Sequence, residues 1–238
     1  MLSLEQINEI AIKMQTSVIN VAREYVQNVF LNAFYSLEKS DSILFKGGTA
    51  LRILYRSPRF SEDLDFSAKS APQNTIEDLL QETLLLLDRE GINVDLKEST
   101  STSGGFLGII HSQIQRLGFN ISIEISTRKK KISDQIVVVE NPYIESYSIV
   151  ALKKEELINE KIEALVTRKK PRDFFDLYFM LRANLVPEKS VLKTIAPLVA
   201  KTRIDFKKEL LEFLPKSHHK IIKDFKKYLE IEIERFLP

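Results

Sequence analysis

Four short stretches of alternating apolar and polar residues, at 92–97, 105–110, 119–126 and 135–140, interrupt a chain that elsewhere keeps the spacing of amphipathic helices. That change of period limits the fold more than any other feature. Residues 4–39 place Ile7, Ile10, Ala11, Met14, Val18, Val21, Ala22, Val26 and Phe30 at helical intervals, which predicts one or two helices. Residues 42–45 form a short apolar run that stops at Gly47-Gly48, a buried strand meeting a turn, and residues 49–55 then predict a short helix. Residues 64–67 alternate as a strand, and residues 75–89 are helical. The four alternating stretches predict a meander-like sheet. From Ile149 the helical period returns, with helices expected at 155–167, 172–183, 191–200 and 206–213, and a final one from 216 to 236. The fold class is therefore α+β, with strands and helices over residues 1–150 and a helical, basic part over 151–238.

Composition removes several kinds of chemistry. There is no cysteine, so thiol nucleophiles, disulfides and Cys-ligated zinc are excluded. Only His111, His218 and His219 are present, too few and too scattered for a His-rich metal site or a Ser-His-Asp triad. No segment approaches the roughly 20 apolar residues of a membrane span. The first 14 residues carry acidic side chains where a secretory leader has its apolar stretch, which points to a reducing compartment, the cytoplasm of a bacterium or archaeon. The net charge of +2 conceals an asymmetry. Residues 1–120 hold 11 Lys+Arg against 15 Asp+Glu, and residues 121–238 hold 24 against 18. A basic second half either grips an anionic partner or is the solvated outer face of Lys-rich helices.

The densest chemistry lies at Phe45-Lys46-Gly47-Gly48-Thr49-Ala50-Leu51 and Ser61-Glu62-Asp63-Leu64-Asp65-Phe66. A glycine pair between a strand and a helix lets backbone N–H groups approach a ligand, and the helix start adds unpaired donors and partial positive charge. Thr49 can supply a hydroxyl donor. This is a phosphate cradle without the spacing of a P-loop. On a strand, Asp63 and Asp65 point to one face. Two carboxylates so close need a cation between them or a shared proton, and hard oxygen donors suit Mg²⁺ shared with substrate phosphates. Glu124 lies in mid-strand, on the face of Ser122 and Ser126 and opposite Ile123 and Ile125. It can complete a metal site or take the proton of an attacking hydroxyl. Taken singly, each of these features has a structural explanation: a turn, a strand edge, an exposed face. In this order and on these elements, they are the equipment of metal-assisted phosphoryl or nucleotidyl transfer.

Lys46-Gly47-Gly48-Thr49-Ala50-Leu51, Arg59 and Ser61-x-Asp63-Leu64-Asp65-Phe66 closely resemble the AbiEii-type nucleotidyltransferases. These are toxins of bacterial toxin–antitoxin and phage-defence systems within the DNA-polymerase-β-like superfamily. Glu160-Lys161-Ile162-Glu163-Ala164-Leu165, Arg168 and Pro171-Arg172-Asp173-Phe174-Phe175-Asp176-Leu177-Tyr178 resemble the helical motifs of the same family. The resemblance implies a polymerase-β-like nucleotidyltransferase core with a central mixed sheet, followed by a helical C-terminal part. It implies Mg²⁺ on Asp63 and Asp65, with Glu124 as the third carboxylate, and NTP phosphates on the turn formed by Lys46, Gly47, Gly48 and Thr49. It also implies functional roles for Lys161, Arg168, Asp173 and Asp176, and a cognate antitoxin as partner.

Lys161 and Arg168 are seven residues apart and share a helix face, so both can reach one triphosphate; equally, Lys161 can be a solvated surface lysine. Asp173 either serves the site or caps the helix that begins near Arg172. The basic runs Arg128-Lys129-Lys130-Lys131 and Arg168-Lys169-Lys170-Pro171-Arg172, with the C-terminal lysines, suit a polyanionic acceptor such as RNA if they converge. Some members of the family resemble enzymes that add nucleotides to the tRNA 3′ end. Phe119, Tyr143 and Tyr147 are candidates for base stacking or for the core. The activity expected is transfer of NMP from an NTP to an acceptor hydroxyl. The alternatives are a nucleotide- or RNA-binding module without turnover, and an enzyme that nucleotidylates a protein hydroxyl.

Overall fold

The computed structural model describes residues 1–69, 71–128, 132–186 and 189–237, without the side chain of Lys189. Lys129, Lys130 and Lys131, the core of one basic run, lie outside the described residues. The chain divides into two compact units. The first comprises Met1–Arg56 and Phe60–Lys153, and the second Ser57–Arg59 and Lys154–Pro238.

The first unit begins with α1 (Leu4–Met14), which Ser3 caps by accepting from the Gln6 N–H, and α2 (Val18–Ser36), capped by Ser17. β1 (Ile43–Lys46) runs directly into α3 (Gly47–Tyr55), and β2 (Leu64–Ala68) and α4 (Gln73–Arg89) follow. Then come β3 (Asn93–Thr102), β4 (Gly105–Ile114), β5 (Leu117–Ser126), β6 (Asp134–Val139) and β7 (Tyr147–Leu152). The strands form one mixed sheet in the order β3-β4-β5-β2-β1-β7-β6, in which β2 is parallel to β5 and β1 to β7. The mixed sheet of the expected α+β class is present. The meander, however, contains only β3, β4 and β5, and β6 lies at the far edge beside β7.

β7 is a correction to the sequence reading, which had helix returning at Ile149. It pairs with β1 on one side and β6 on the other, and Ile149, Ala151 and Leu152 are all buried. A short run that is apolar on both faces lacks the alternation that marks a half-exposed strand. The first unit accordingly continues past residue 150 to Lys153.

Alternation along the strands builds the core and, on its reverse, the site. Phe45, Phe66, Ile125 and Phe106 occupy one cross-strand row and are all buried. Phe66 lies 5.5 Å from the ring of Phe34 on α2, so this row faces the helix. The neighbouring row, Lys46, Asp65, Glu124 and Leu107, points to the other face.

Behind α3 lies a buried polar network. Arg52 donates to both carboxylate oxygens of Glu24, at 2.7 and 3.1 Å, and Tyr143 donates to the same carboxylate at 2.6 Å. Arg52 also stacks on the Phe60 ring, 3.8 Å from its centroid. Tyr147 donates to Asn28 at 2.9 Å. Burial, then the Glu24 charge, pushes the Tyr143 hydroxyl well above its ordinary range. Tyr143, Tyr147 and Phe119 are buried, which makes them core residues rather than stacking platforms.

The second unit contains α5 (Lys154–Arg168), α6 (Pro171–Arg182), α7 (Leu192–Lys201), α8 (Phe206–Phe213), α9 (His219–Lys223) and α10 (Phe225–Glu234). Pro171 sits in the first turn of α6, where its missing N–H costs nothing. The single helix expected over 216–236 is broken at Asp224 (φ −122°, ψ 31°). The break turns Phe225 into the core, where its ring lies 5.8 Å from Phe175, 5.5 Å from Tyr178 and 4.9 Å from Phe206. Among the described residues, no helix is long and apolar enough to cross a membrane.

Candidate active site

The turn from β1 into α3 is built around Gly47, at φ +84°, a conformation that disfavours any side chain. A β-carbon there would fall 1.9 Å from Asp65 Oδ2, so the glycine backbone and the Asp65 carboxylate lie against one another. Lys46 occupies the N-cap position of α3 without a side-chain cap hydrogen bond. The first N–H groups of the helix have no intrahelical partner and receive no cap from the N-cap side chain. Thr49 is buried, and its hydroxyl donates to the backbone carbonyl of Asp63. The sequence suggested this hydroxyl as a ligand donor. In the structure it ties the start of α3 to the residue preceding β2.

Asp65 stands between Lys46 on β1 and Glu124 on β5 in the strand register. Neighbouring strands lie about 4.8 Å apart, so the two carboxylates leave adjacent strands side by side on one face. Asp63 precedes β2 by one residue. Lys46, Asp65, Thr102, Gly104, Glu124, Ser126 and Arg128 line one cleft of about 460 Å³ in the first unit. The structure thus brings Asp65, Glu124 and Lys46 together beside the glycine turn. Arg128 joins them, a residue that the sequence offered only as part of a basic run.

The donor set fits Mg²⁺. That ion takes one or two carboxylates and completes its shell with water and substrate phosphates. Among the described residues, no three Asp, Glu, His or Cys side chains form a ready-made cage, and Asp65 with Glu124 supplies the pair that such a shared shell needs.

Lys161, Arg168, Asp173 and Asp176 belong to the second unit, each with a charged partner. Asp176 is 1% exposed. It accepts from Arg59 at 2.8 and 3.0 Å and from Lys161 at 2.8 Å. Burial raises its carboxyl, but Arg59 and then Lys161 outweigh that effect and hold it at about 2. Arg59 is itself buried; burial lowers its guanidinium, and Asp176 more than compensates. Asp173 accepts from the Arg168 guanidinium at 2.8 Å and from the Lys170 N–H at 3.0 Å. The capping alternative for Asp173 is thus realised, with Arg168 paired to it. Arg59 stood in the recognised motif without a role and proves to be the principal partner of Asp176. Its partner is 117 residues away, and no local pattern announces that pairing. Within the second unit, Lys169, Lys201 and Arg203 line a separate depression of about 440 Å³.

The chain shares its fold with solved proteins. JHP933 from Helicobacter pylori superposes with a TM-score of 0.64 at 20% identity, covering 93% of each chain. A second H. pylori protein, solved under the provisional description of nucleotidyltransferase, superposes with a TM-score of 0.62 at 18% identity, covering 91% of this chain and 93% of its own. No curated protein sequence matches the chain. Residues 29–234 match the family described as nucleotidyl transferase AbiEii toxin, type IV TA system. The chain belongs to that family of nucleotidyltransferase toxins.

Proposed function

We propose that the protein is a Mg²⁺-dependent nucleotidyltransferase that moves NMP from an NTP to a hydroxyl of an RNA acceptor, with the tRNA 3′ end as the acceptor to test first. The observation that carries this reading is Asp65 beside Glu124 on parallel neighbouring strands, in a cleft next to the start of α3. The N–H groups of Gly47, Gly48 and Thr49 hold the triphosphate, and Lys46 neutralises part of its charge. Asp63, Asp65 and Glu124 are the residues to hold Mg²⁺, which when bound offsets the charge that builds on the phosphates. The acceptor oxygen bonds to the α-phosphorus, the bond to the β-bridging oxygen breaks, and pyrophosphate leaves. Glu124 takes the hydroxyl proton in this reading.

Releasing Arg168 to a triphosphate would take from the buried Asp173 its guanidinium partner, and releasing Lys161 would leave the buried Asp176 on Arg59 alone. We therefore assign Lys161, Asp176 and Arg168 to the framework of the second unit. The basic depression there, with Lys169, Lys201 and Arg203, suits an RNA backbone. The type IV toxin–antitoxin assignment of the family supports an antitoxin as partner and toxicity as the cellular output; phage defence is the setting we propose for it.

The test is incubation of purified protein with Mg²⁺ and each α-labelled NTP, alongside total cellular RNA and total protein. Label in a tRNA band, absent with Asp65→Asn, is the expected result. Label only in protein would move the acceptor to a protein hydroxyl. NTP binding with no label in any fraction would replace the enzyme with a binding module.

A further inference from the structure

We propose that Arg128, seated on Gly104, clamps a backbone phosphate of the acceptor strand on the side of the cleft opposite the glycine turn. This rests on the nucleotidyl-transfer reading above. Three observations lead to it.

The first is position. The strand order β4-β5-β2-β1 puts the turn that follows β1 on one side of Asp65 and Glu124, and the β3–β4 hairpin on the other. Thr102 and Gly104, at the hairpin turn, line the same cleft as Lys46 and the carboxylates, and so does Arg128.

The second is fit. A β-carbon on Gly104 would lie 2.2 Å from Arg128 Nε, 2.6 Å from Nη2 and 2.7 Å from Cζ. The guanidinium thus rests directly on the glycine backbone, and any larger residue at 104 displaces it.

The third is availability. Other arginines of the chain are committed: Arg23 to Glu62, Arg52 to Glu24, Arg59 to Asp176 and Arg168 to Asp173. Among the described residues, Arg128 forms no hydrogen bond or ion pair, although it lies in a cleft with two carboxylates. A guanidinium held in place with its fork unused matches a phosphate, which it binds through two parallel N–H···O bonds.

The direction of reaction decides which phosphate. Attacking and leaving oxygens are roughly in line in phosphoryl transfer. With pyrophosphate leaving on the α3 side, the attacking hydroxyl enters from the side of β5 and the hairpin, where Arg128 sits. The phosphate that accompanies that hydroxyl belongs to the acceptor strand. A protein hydroxyl brings no such phosphate, so the arrangement selects a nucleic acid.

The test uses the full-length protein and a short single-stranded RNA oligonucleotide, with binding read by fluorescence polarisation and turnover by label transfer. Arg128→Ala is expected to weaken oligonucleotide binding about tenfold, to raise the acceptor KM similarly and to leave the KM for NTP unchanged. The slope of log affinity against log salt should fall by about 0.7, the value for one phosphate on a single strand. Arg128→Lys should recover part of the loss. Gly104→Ala keeps the charge but moves the guanidinium, and should raise the acceptor KM in the same direction. An Arg128→Ala variant with unchanged oligonucleotide affinity, or with a raised KM for NTP alone, would overturn the clamp. Binding is also measured in an Asp65→Asn background, where failure of the transfer reading leaves the Arg128 dependence of oligonucleotide affinity intact, so the two ideas fail separately.

Discussion

Asp176→Asn removes the carboxylate that two buried cations share, and its effect can be estimated from the structure. The carboxylate is 1% exposed and accepts from both Arg59 and Lys161. Burial works against its ionisation, yet its pKa falls from 3.8 to about 2 because Arg59 and Lys161 together outweigh burial. Lowering a carboxyl by that amount corresponds to about 2 kcal/mol of folding stability at neutral pH. A folded-state pKa below the unfolded one gives a contribution that is complete above about pH 5 and is lost as the pH falls toward 2. Asparagine has nearly the same shape but removes the charge that both Arg59 and Lys161 bond, and breaking a buried pair in this way costs about 3–5 kcal/mol. Urea unfolding of the wild type and the variant, measured from pH 7 down to about pH 3, reads both effects. The gap should be about 3–5 kcal/mol at pH 7 and should narrow by about 1 kcal/mol at pH 3, where the carboxyl is largely protonated in the unfolded chain and still mostly ionised in the folded one. A gap below about 1 kcal/mol at neutral pH, or one that acid does not reduce, would refute the view that Asp176 anchors the second unit.

Gly47→Ala forces a side chain into a left-handed conformation, at roughly 1–3 kcal/mol, and drives its β-carbon into the Asp65 carboxylate. A lowered midpoint in thermal unfolding and loss of label transfer are expected together. Thr49→Val keeps the shape but removes the donor to the Asp63 carbonyl, for about 1–3 kcal/mol. Its Tm should drop by several degrees, at about 2–4 °C for each kcal/mol. Glu124→Gln should slow transfer by roughly 10²–10⁴-fold, the range of a general acid–base group. Its stability should stay within about 0.5 kcal/mol of wild type because the side chain is exposed, as a urea titration will show.

The segment from β1 through β2 was legible in the sequence because its signals are local. A glycine pair ends an apolar run, and an alternating stretch fixes which side chains share a face. The same alternation put Glu124 opposite Ile123 and Ile125, and the register then set it beside Asp65. β7 was not legible, because Ile149, Val150, Ala151 and Leu152 are apolar without a break and leave no alternation to read. The shared helix face of Lys161 and Arg168 could be read from spacing, but their partners could not. Asp176 meets Arg59 across 117 residues and Lys161 across 15, through packing of the second unit. Nor does a basic run reveal which of its members has a seat; Arg128 is distinguished by the glycine beneath it.

The central claim is that Asp65 and Glu124 form a nucleotidyl-transfer centre beside the glycine turn. Parallel reactions with the same NTP labelled at the α- or the γ-phosphate, with Mg²⁺ and tRNA, test it most directly. Label should enter tRNA only from the α position, the γ label should be released as pyrophosphate, and Asp65→Asn should abolish both. Transfer of the γ label, or α-label transfer that survives Asp65→Asn, would contradict it.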